Sequence, residues 1–288
     1  MKSKVSLRYV TRFAALLCGL TFFLACSSSS DDDDSSSSVP LSQNACGVIG
    51  LNNARINAKI IAGTECQVAP SPVVLLDLGV GLCTGTMITR EHVLTAGHCF
   101  ILPEARRSSA VLLNRSSSPI AFGAELIVHP GFGIEEESNL IVNDLAIIRL
   151  DRALDLPTLP IFLSRNIRSG DRISIFGFGQ ATNENNTSGS TTAGILRSGE
   201  MRVSAVDNSY IFAEFGDEGS NTCFGDSGGP AILTERDRDG NLISAIVGVT
   251  STGTSDTCSR GDNSNFANLQ SSGSLDFINQ VAPGVRVF

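Results

Sequence analysis

The chain is poor in charge and in basic residues. Charged side chains make up 17% of its 288 residues, tryptophan is absent, and 21 Lys and Arg face 29 Asp and Glu for a formal net charge of −8. That balance excludes nucleic acid as the main partner, because phosphate neutralisation needs clustered Lys and Arg. Heptads and internal repeats are missing, which leaves neither a coiled coil nor a solenoid. No close Cys-x-x-Cys pair occurs, so no metal site is expected, and no cofactor either. No apolar run reaches the roughly 20 residues of a spanning helix. What is present is a 42% hydrophobic content, enough to exclude wholesale disorder, in a length that allows one or two cores. Eight cysteines exceed the usual stock of a cytosolic enzyme and have to be sorted by position.

The N-terminus reads as an address. Lys2, Lys4, Arg8 and Arg12 precede an apolar run from Phe13 to Ala25, the basic flank and short apolar core of a secretory signal peptide. The run ends Phe23-Leu24-Ala25-Cys26, and a tract of Ser and Asp follows from Ser27 to Ser38. This junction resembles a bacterial lipoprotein signal, in which a small residue precedes a cysteine that is lipidated at the new N-terminus. Phe23 departs from that pattern, where Leu is usual. The resemblance implies export to a bacterial outer membrane or cell surface, with lipidated Cys26 as the anchor. Two other readings stay open: plain cleavage near Ala25, giving a secreted or periplasmic protein, and an apolar anchor retained in the mature chain. Residues 27–45 then form a flexible tether, since the Ser/Asp tract has no apolar side chains to bury and its carboxylates repel. Removing residues 1–26 takes away four basic and no acidic residues, including none from the Asp31 to Asp34 run, and moves the charge from −8 to −12. Cys18, inside the apolar run, leaves with the signal.

From residue 60 onward the sequence reads as short strands divided by Gly, Asn, Ser and Pro. Candidates are 73–78, 92–96, 110–113, 125–128 and 145–150 in the first half. The second half offers 172–176, 201–206, 210–215, 230–233 and 243–250. This pattern suits an all-β sandwich or a pair of barrels. Loop 183–194 is polar. Only the tail, 275–281, has helical spacing, with Ser274 as its expected cap.

Three segments carry chemistry. Leu94-Thr95-Ala96-Gly97-His98-Cys99 closes an expected strand, Asp144-Leu145-Ala146-Ile147-Ile148-Arg149-Leu150 opens another, and Gly225-Asp226-Ser227-Gly228-Gly229-Pro230 occupies a tight turn. A serine hydroxyl is a poor nucleophile at neutral pH and needs a base to take its proton. Imidazole suits that task, and a carboxylate on its other nitrogen fixes the tautomer. In this order the segments resemble the chymotrypsin-like (trypsin-type) serine endopeptidase family over roughly residues 60 to 281. The resemblance implies two packed six-stranded antiparallel β-barrels, at about 60–160 and 161–270, and a C-terminal helix near 274–281. It makes Ser227 the nucleophile, His98 the general base and then acid, and Asp144 the residue that orients His98. The backbone N–H groups of Gly225 and Ser227 become the oxyanion hole. His92 and His129 belong to no motif and are expected to be structural or exposed.

The same resemblance sorts the remaining features. It implies a Cys83–Cys99 bridge beside His98 and a Cys223–Cys258 bridge bracing the substrate pocket. In many relatives the cysteine at the Cys66 position pairs with one after Phe176-Gly177-Phe178-Gly179. This chain has Ser198 there and no cysteine, so a Cys46–Cys66 bridge is expected in its place. Lys59-Ile60-Ile61-Ala62-Gly63 resembles a zymogen cleavage point. It makes 46–59 a prosegment and 60–288 the protease domain, and the freed Ile60 amine would pair with Asp226. Asn221 falls at the pocket floor, where relatives that accept Lys or Arg carry Asp. Thr222, Ser251, Gly253 and Ser264 fall along the walls, with Ser264 where Gly is frequent. Thr252 stands where an aromatic residue is usual. The implied substrates are proteins or peptides with an uncharged residue before the cut, and so a separate activating protease would act at Lys59. Two rivals remain from the residues themselves. One is a surface binding protein or adhesin on a protease-like fold, the other an esterase using the same residues.

Overall fold

The computed structural model describes residues 45–55, 63–106, 109–135, 141–181, 192–216, 219–255 and 257–288. The signal, Cys26, nearly all of the tether, the bond between Lys59 and Ile60, and most of loop 183–194 lie outside the described residues. Strands β1 (Asn53–Arg55) and β2 (Thr64–Cys66) come first. They are followed by β3 (Val73–Asp77), β4 (Leu82–Met87), β5 (His92–Thr95), β6 (Ala110–Leu112) and β7 (Ala121–Val128). A short ribbon of β8 (Gly133–Ile134) and β9 (Ile141–Val142) leads to β10 (Ala146–Leu150). The second half holds β11 (Arg172–Gly177), β12 (Arg197–Val206), β13 (Tyr210–Glu214), β14 (Pro230–Arg236), β15 (Leu242–Gly253) and β16 (Asn263–Asn268). Helix α1 (Ser272–Val281) follows.

These strands close into two antiparallel six-stranded barrels. The first runs β10-β5-β4-β3-β6-β7, closed by the pairing of β7 with β10. The second runs β12-β11-β14-β15-β16-β13 and is closed by β12 with β13. Strand β2 does not join the first barrel. It pairs with β12 through Arg197↔Glu65 and Ser198↔Thr64, and β1 pairs with β2 in turn. Residues on both sides of the bond between Lys59 and Ile60 are thus attached to the second barrel.

Side-chain alternation explains why the strands read as unbroken apolar runs. In β3, Val74 and Leu76 point into the first barrel with Met87, Val93, Val111 and Ile148. Val73 and Leu75 point the other way, into a cluster shared with Leu94, Ile147, Phe176 and Ile232 of both barrels. Successive side chains on a strand face opposite sides, and here both sides are buried. Burying each such Ile, Leu or Phe contributes about 1.5–3 kcal/mol. The second barrel has its own filling, including Ile173, Ile175, Val203, Val247 and Phe266.

The helix begins a turn earlier than its spacing suggests. Ser271, with extended backbone, is the cap, and its Oγ accepts from the Ser274 N–H at 3.2 Å. Ser274 lies in the first turn and donates its hydroxyl to Asn268 O at 2.8 Å. Phe277 and Ile278 seat the helix in the cluster between the barrels. Disulfides join Cys46 to Cys66, Cys83 to Cys99 and Cys223 to Cys258. Among the described residues no helix is long and apolar enough to cross a membrane.

Candidate active site

His98 and Asp144 meet because β5 and β10 are neighbours. Their register pairs Thr95 with Ala146, so the residues just beyond β5 and just before β10 lie side by side. His98 sits in a 3-10 turn, Gly97–Phe100. Its Nδ1–H donates to Asp144 Oδ2 at 2.7 Å, and its backbone N–H donates to Oδ1 at 2.7 Å. Asp144 is fully buried, and the Ser251 hydroxyl also donates to Oδ2. Burial alone would raise this carboxyl. The hydrogen bond and charge of the His98 ring, the Ser251 hydroxyl and the His98 N–H outweigh burial and hold it below the usual carboxylate range. The imidazole is therefore fixed at one nitrogen, while a fifth of the His98 side chain stays open to solvent.

The serine turn is held against the same strands. Thr84 of β4 donates its N–H to Ser227 O at 2.8 Å and its hydroxyl to Gly225 O at 2.9 Å. The Thr84 Oγ accepts from Phe178 N–H at 3.1 Å, and its carbonyl accepts from Thr95 Oγ at 2.8 Å. Gly228 N–H donates to Thr250 O at 2.8 Å. Ser227 O lies 4.0 Å from Cys99 Sγ, one residue from His98. Ser227 itself is half-buried. Two glycines make this docking possible. Gly228 has φ +84°, and a Cβ there would fall 2.1 Å from Thr95 Oγ1 and 2.2 Å from Thr84 O. Gly225 has φ +97°, and a Cβ would fall 2.9 Å from the Cα of Gly179. Side chains at positive φ are strained whatever the space. Among the described residues the N–H groups of Gly225 and Ser227 find no protein acceptor, whereas that of Asp226 between them donates to Cys223 O at 2.9 Å. Two free donors on one turn make a cradle for an anionic oxygen.

Asp226 lies beneath this turn, 1% exposed. Its Oδ1 accepts from Gly179 N–H at 2.7 Å and its Oδ2 from Cys223 N–H at 2.9 Å. Burial pushes the carboxyl up to about 6, against those two hydrogen bonds and the nearby Arg197 charge. Arg197, 2% exposed, donates to Gly179 O at 3.2 Å, Thr192 O at 2.7 Å and Glu65 Oε1 at 3.3 Å. One residue, Gly179, is thus gripped by Asp226 on its N–H and by Arg197 on its carbonyl.

Of the residues expected at the pocket, Asn221, Thr222 and Ser264 form one buried polar cluster with Asp262. Asn221 Nδ2 donates to Asp262 Oδ2 at 3.1 Å, Ser264 Oγ donates to Asn221 Oδ1 at 2.7 Å, and the Thr222 and Ser264 hydroxyls lie 2.6 Å apart. Gly253 pairs with Ser264 across β15 and β16, and Thr252 receives a hydrogen bond from Asn265 Nδ2 at 3.1 Å. Ser251, expected along the wall, directs its hydroxyl to Asp144. Lys59, Ile60 and Cys26 lie outside the described residues. Sequence reasoning passed over Thr84, Arg197 and Asp262. None belongs to a motif, and each has at least one partner far away in the chain.

Two closed antiparallel barrels that bring a buried His–Asp pair beside a glycine-bound serine turn define the two-barrel serine hydrolases. A family model described as Trypsin matches residues 60–274. Granzyme M of Rattus norvegicus is 28% identical over 209 residues, covering 65% of this chain and 79% of the relative. Trypsin-1 of Salmo salar is 26% identical over 199 residues, covering 64% and 80%. Trypsin I-P1 of Gallus gallus is 27% identical over 197 residues, covering 60% and 74%. The chain belongs to the trypsin family and is a serine endopeptidase.

Proposed function

We propose that Ser227, His98 and Asp144 act as a charge-coupled triad on peptide bonds. Ser227 Oγ attacks the scissile carbonyl while His98 Nε2 takes its proton. An Oγ–C bond forms, and the carbonyl oxygen becomes an oxyanion facing the N–H groups of Gly225 and Ser227. His98 then gives the proton to the leaving amine as the C–N bond breaks, and water releases the acyl group by the same route. Asp144 stays ionised and stabilises the imidazolium. Each oxyanion donor contributes about 3–4 kcal/mol to lowering the barrier. The observation that carries this reading is the double hydrogen bond from His98 to one buried carboxylate, which leaves only the second ring nitrogen for chemistry.

Activation follows as part of the same proposal. Cleavage after Lys59 frees the Ile60 amine, which enters the body and gives Asp226 a charged partner. With the pocket read as uncharged, the enzyme does not cut efficiently at its own Lys59, and a separate protease activates it. Three disulfides fit an oxidising compartment and support export. Lipidation of Cys26 would hold the enzyme at a membrane surface through the 27–45 tether. A fluorophosphonate probe tests the core of the reading. Processed protein should be labelled and Ser227→Ala should not; processed wild type that resists labelling and cleaves no peptide would leave a binding protein on this fold. Ester turnover without peptide cleavage would favour the esterase. Ile60→Gly should fold yet remain nearly inactive, and full activity in that variant would sink the activation scheme.

A further inference from the structure

The polar cluster behind Thr222 has a direction. Asp262, 3% exposed, accepts from Thr254 N–H at 2.9 Å, Thr254 Oγ at 2.8 Å and Asn221 Nδ2 at 3.1 Å. A carboxylate only accepts, so the Asn221 amide must turn its NH2 to Asp262 and its Oδ1 to Ser264. Ser264 has one hydroxyl proton, and it goes to that Oδ1 at 2.7 Å. The 2.6 Å contact between Thr222 and Ser264 therefore runs from Thr222 to Ser264. The donor order is Thr222, Ser264, Asn221, Asp262.

Two consequences follow for anything entering from the Ser227 side. Hydroxyls this close leave no passage between them, and Asn221 behind them is fully buried. A side chain entering there would thus meet Thr222 and Ser264 and stop short of Asn221. Moreover, the single proton of Thr222 is already committed, so its oxygen offers only lone pairs to an incoming group.

We infer that the subsite for the residue before the cut takes a small side chain, alanine- to valine-sized, favours a hydroxyl donor and rejects carboxylates, with Asp262 as the positioning residue that sets this polarity. The inference rests on the endopeptidase reading of Ser227. Its test begins with fluorophosphonate titration of processed protein, which counts competent Ser227 whatever the pocket prefers. kcat/KM is then measured for peptides that differ only in Ala, Ser, Val, Leu, Phe, Lys or Glu before the cut. Ala, Ser and Val should each exceed Phe, Lys and Glu by about 100-fold. Ser264→Gly, which opens the clasp, should raise Phe relative to Ala by at least about 10-fold. Asp262→Asn, which lets the chain reverse, should lower the Ser-to-Ala ratio and leave the rejection of Phe in place. A titratable wild type that prefers Leu, Phe, Lys or Glu overturns the inference while the endopeptidase reading stands, and it does so even if the variants fail to fold. Absence of titratable Ser227 removes both.

Discussion

Asp144 is held by three donors in a site without water access, so its effect on chemistry is separable from its effect on position. Asp144→Asn keeps the side-chain shape but can present an N–H to His98, which forces the wrong imidazole tautomer. kcat should fall by about 10⁴-fold with little change in KM; a loss below tenfold would mean that Asp144 does not set the tautomer. Thr84 acts at one remove. Thr84→Val preserves volume but leaves Gly225 O and Phe178 N–H without their hydroxyl partner, costing about 1–3 kcal/mol for each buried group left unpaired. Urea melts should register that loss, and kcat should drop more than KM rises, because the serine turn shifts. The motif residues were legible because the order His, Asp, Ser with their glycines is a local pattern. Thr84 was not, because its partners lie 141 and 94 residues away. A threonine between a cysteine and a glycine carries no mark of such distant contacts.

The elements tell the same story one level up. Strands with a strong apolar signal, such as 73–78 and 172–176, were readable to within a residue or two of the observed bounds. Of the barrel strands the missed ones were β4 and β16, and both carry the site's polar side chains: Thr84 in the first, Ser264 in the second. A strand that must offer hydroxyls inward loses the apolar signal by which strands are recognised. The proposed prosegment is a further case. Cys46, Ile49 and Leu51 are buried in the cluster shared with both barrels, and the Cys46–Cys66 bridge ties them to β2. Residues before the proposed cleavage point should therefore remain attached after a cut there. The two chains should migrate together without reductant and separate with it. Leu51→Ala should cost about 2–4 kcal/mol in urea denaturation of intact and cleaved protein alike; a neutral substitution would mean the segment is not part of the folded body.

For the molecule as a whole, two buried carboxylates give opposite pH signatures. Asp144 has a folded value below its ordinary 3.8. Its stabilisation is present above that range and is lost on further acidification. Asp226 has a folded value near 6 against an ordinary 3.8. Between about 4 and 6 the intact folded chain keeps a proton that the unfolded chain has released, so stability falls as pH rises through that window and is level above it. Glu200, raised by burial, adds to the same slope, and Asp226→Asn isolates the Asp226 share. A freed Ile60 amine, protonated below about 8, would give Asp226 a charged partner and abolish that share. Lysine occurs only at positions 2, 4 and 59, so a lysine-specific endopeptidase cuts the chain beyond residue 4 at a single bond. Urea midpoints of intact and cut protein, taken from pH 4 to 8, should diverge from pH 4 to 6 in favour of the cut form. The divergence should disappear in Asp226→Asn. Parallel curves for cut and intact wild type would mean that the new amine never reaches Asp226, and that the turn carrying Ser227 is assembled without it.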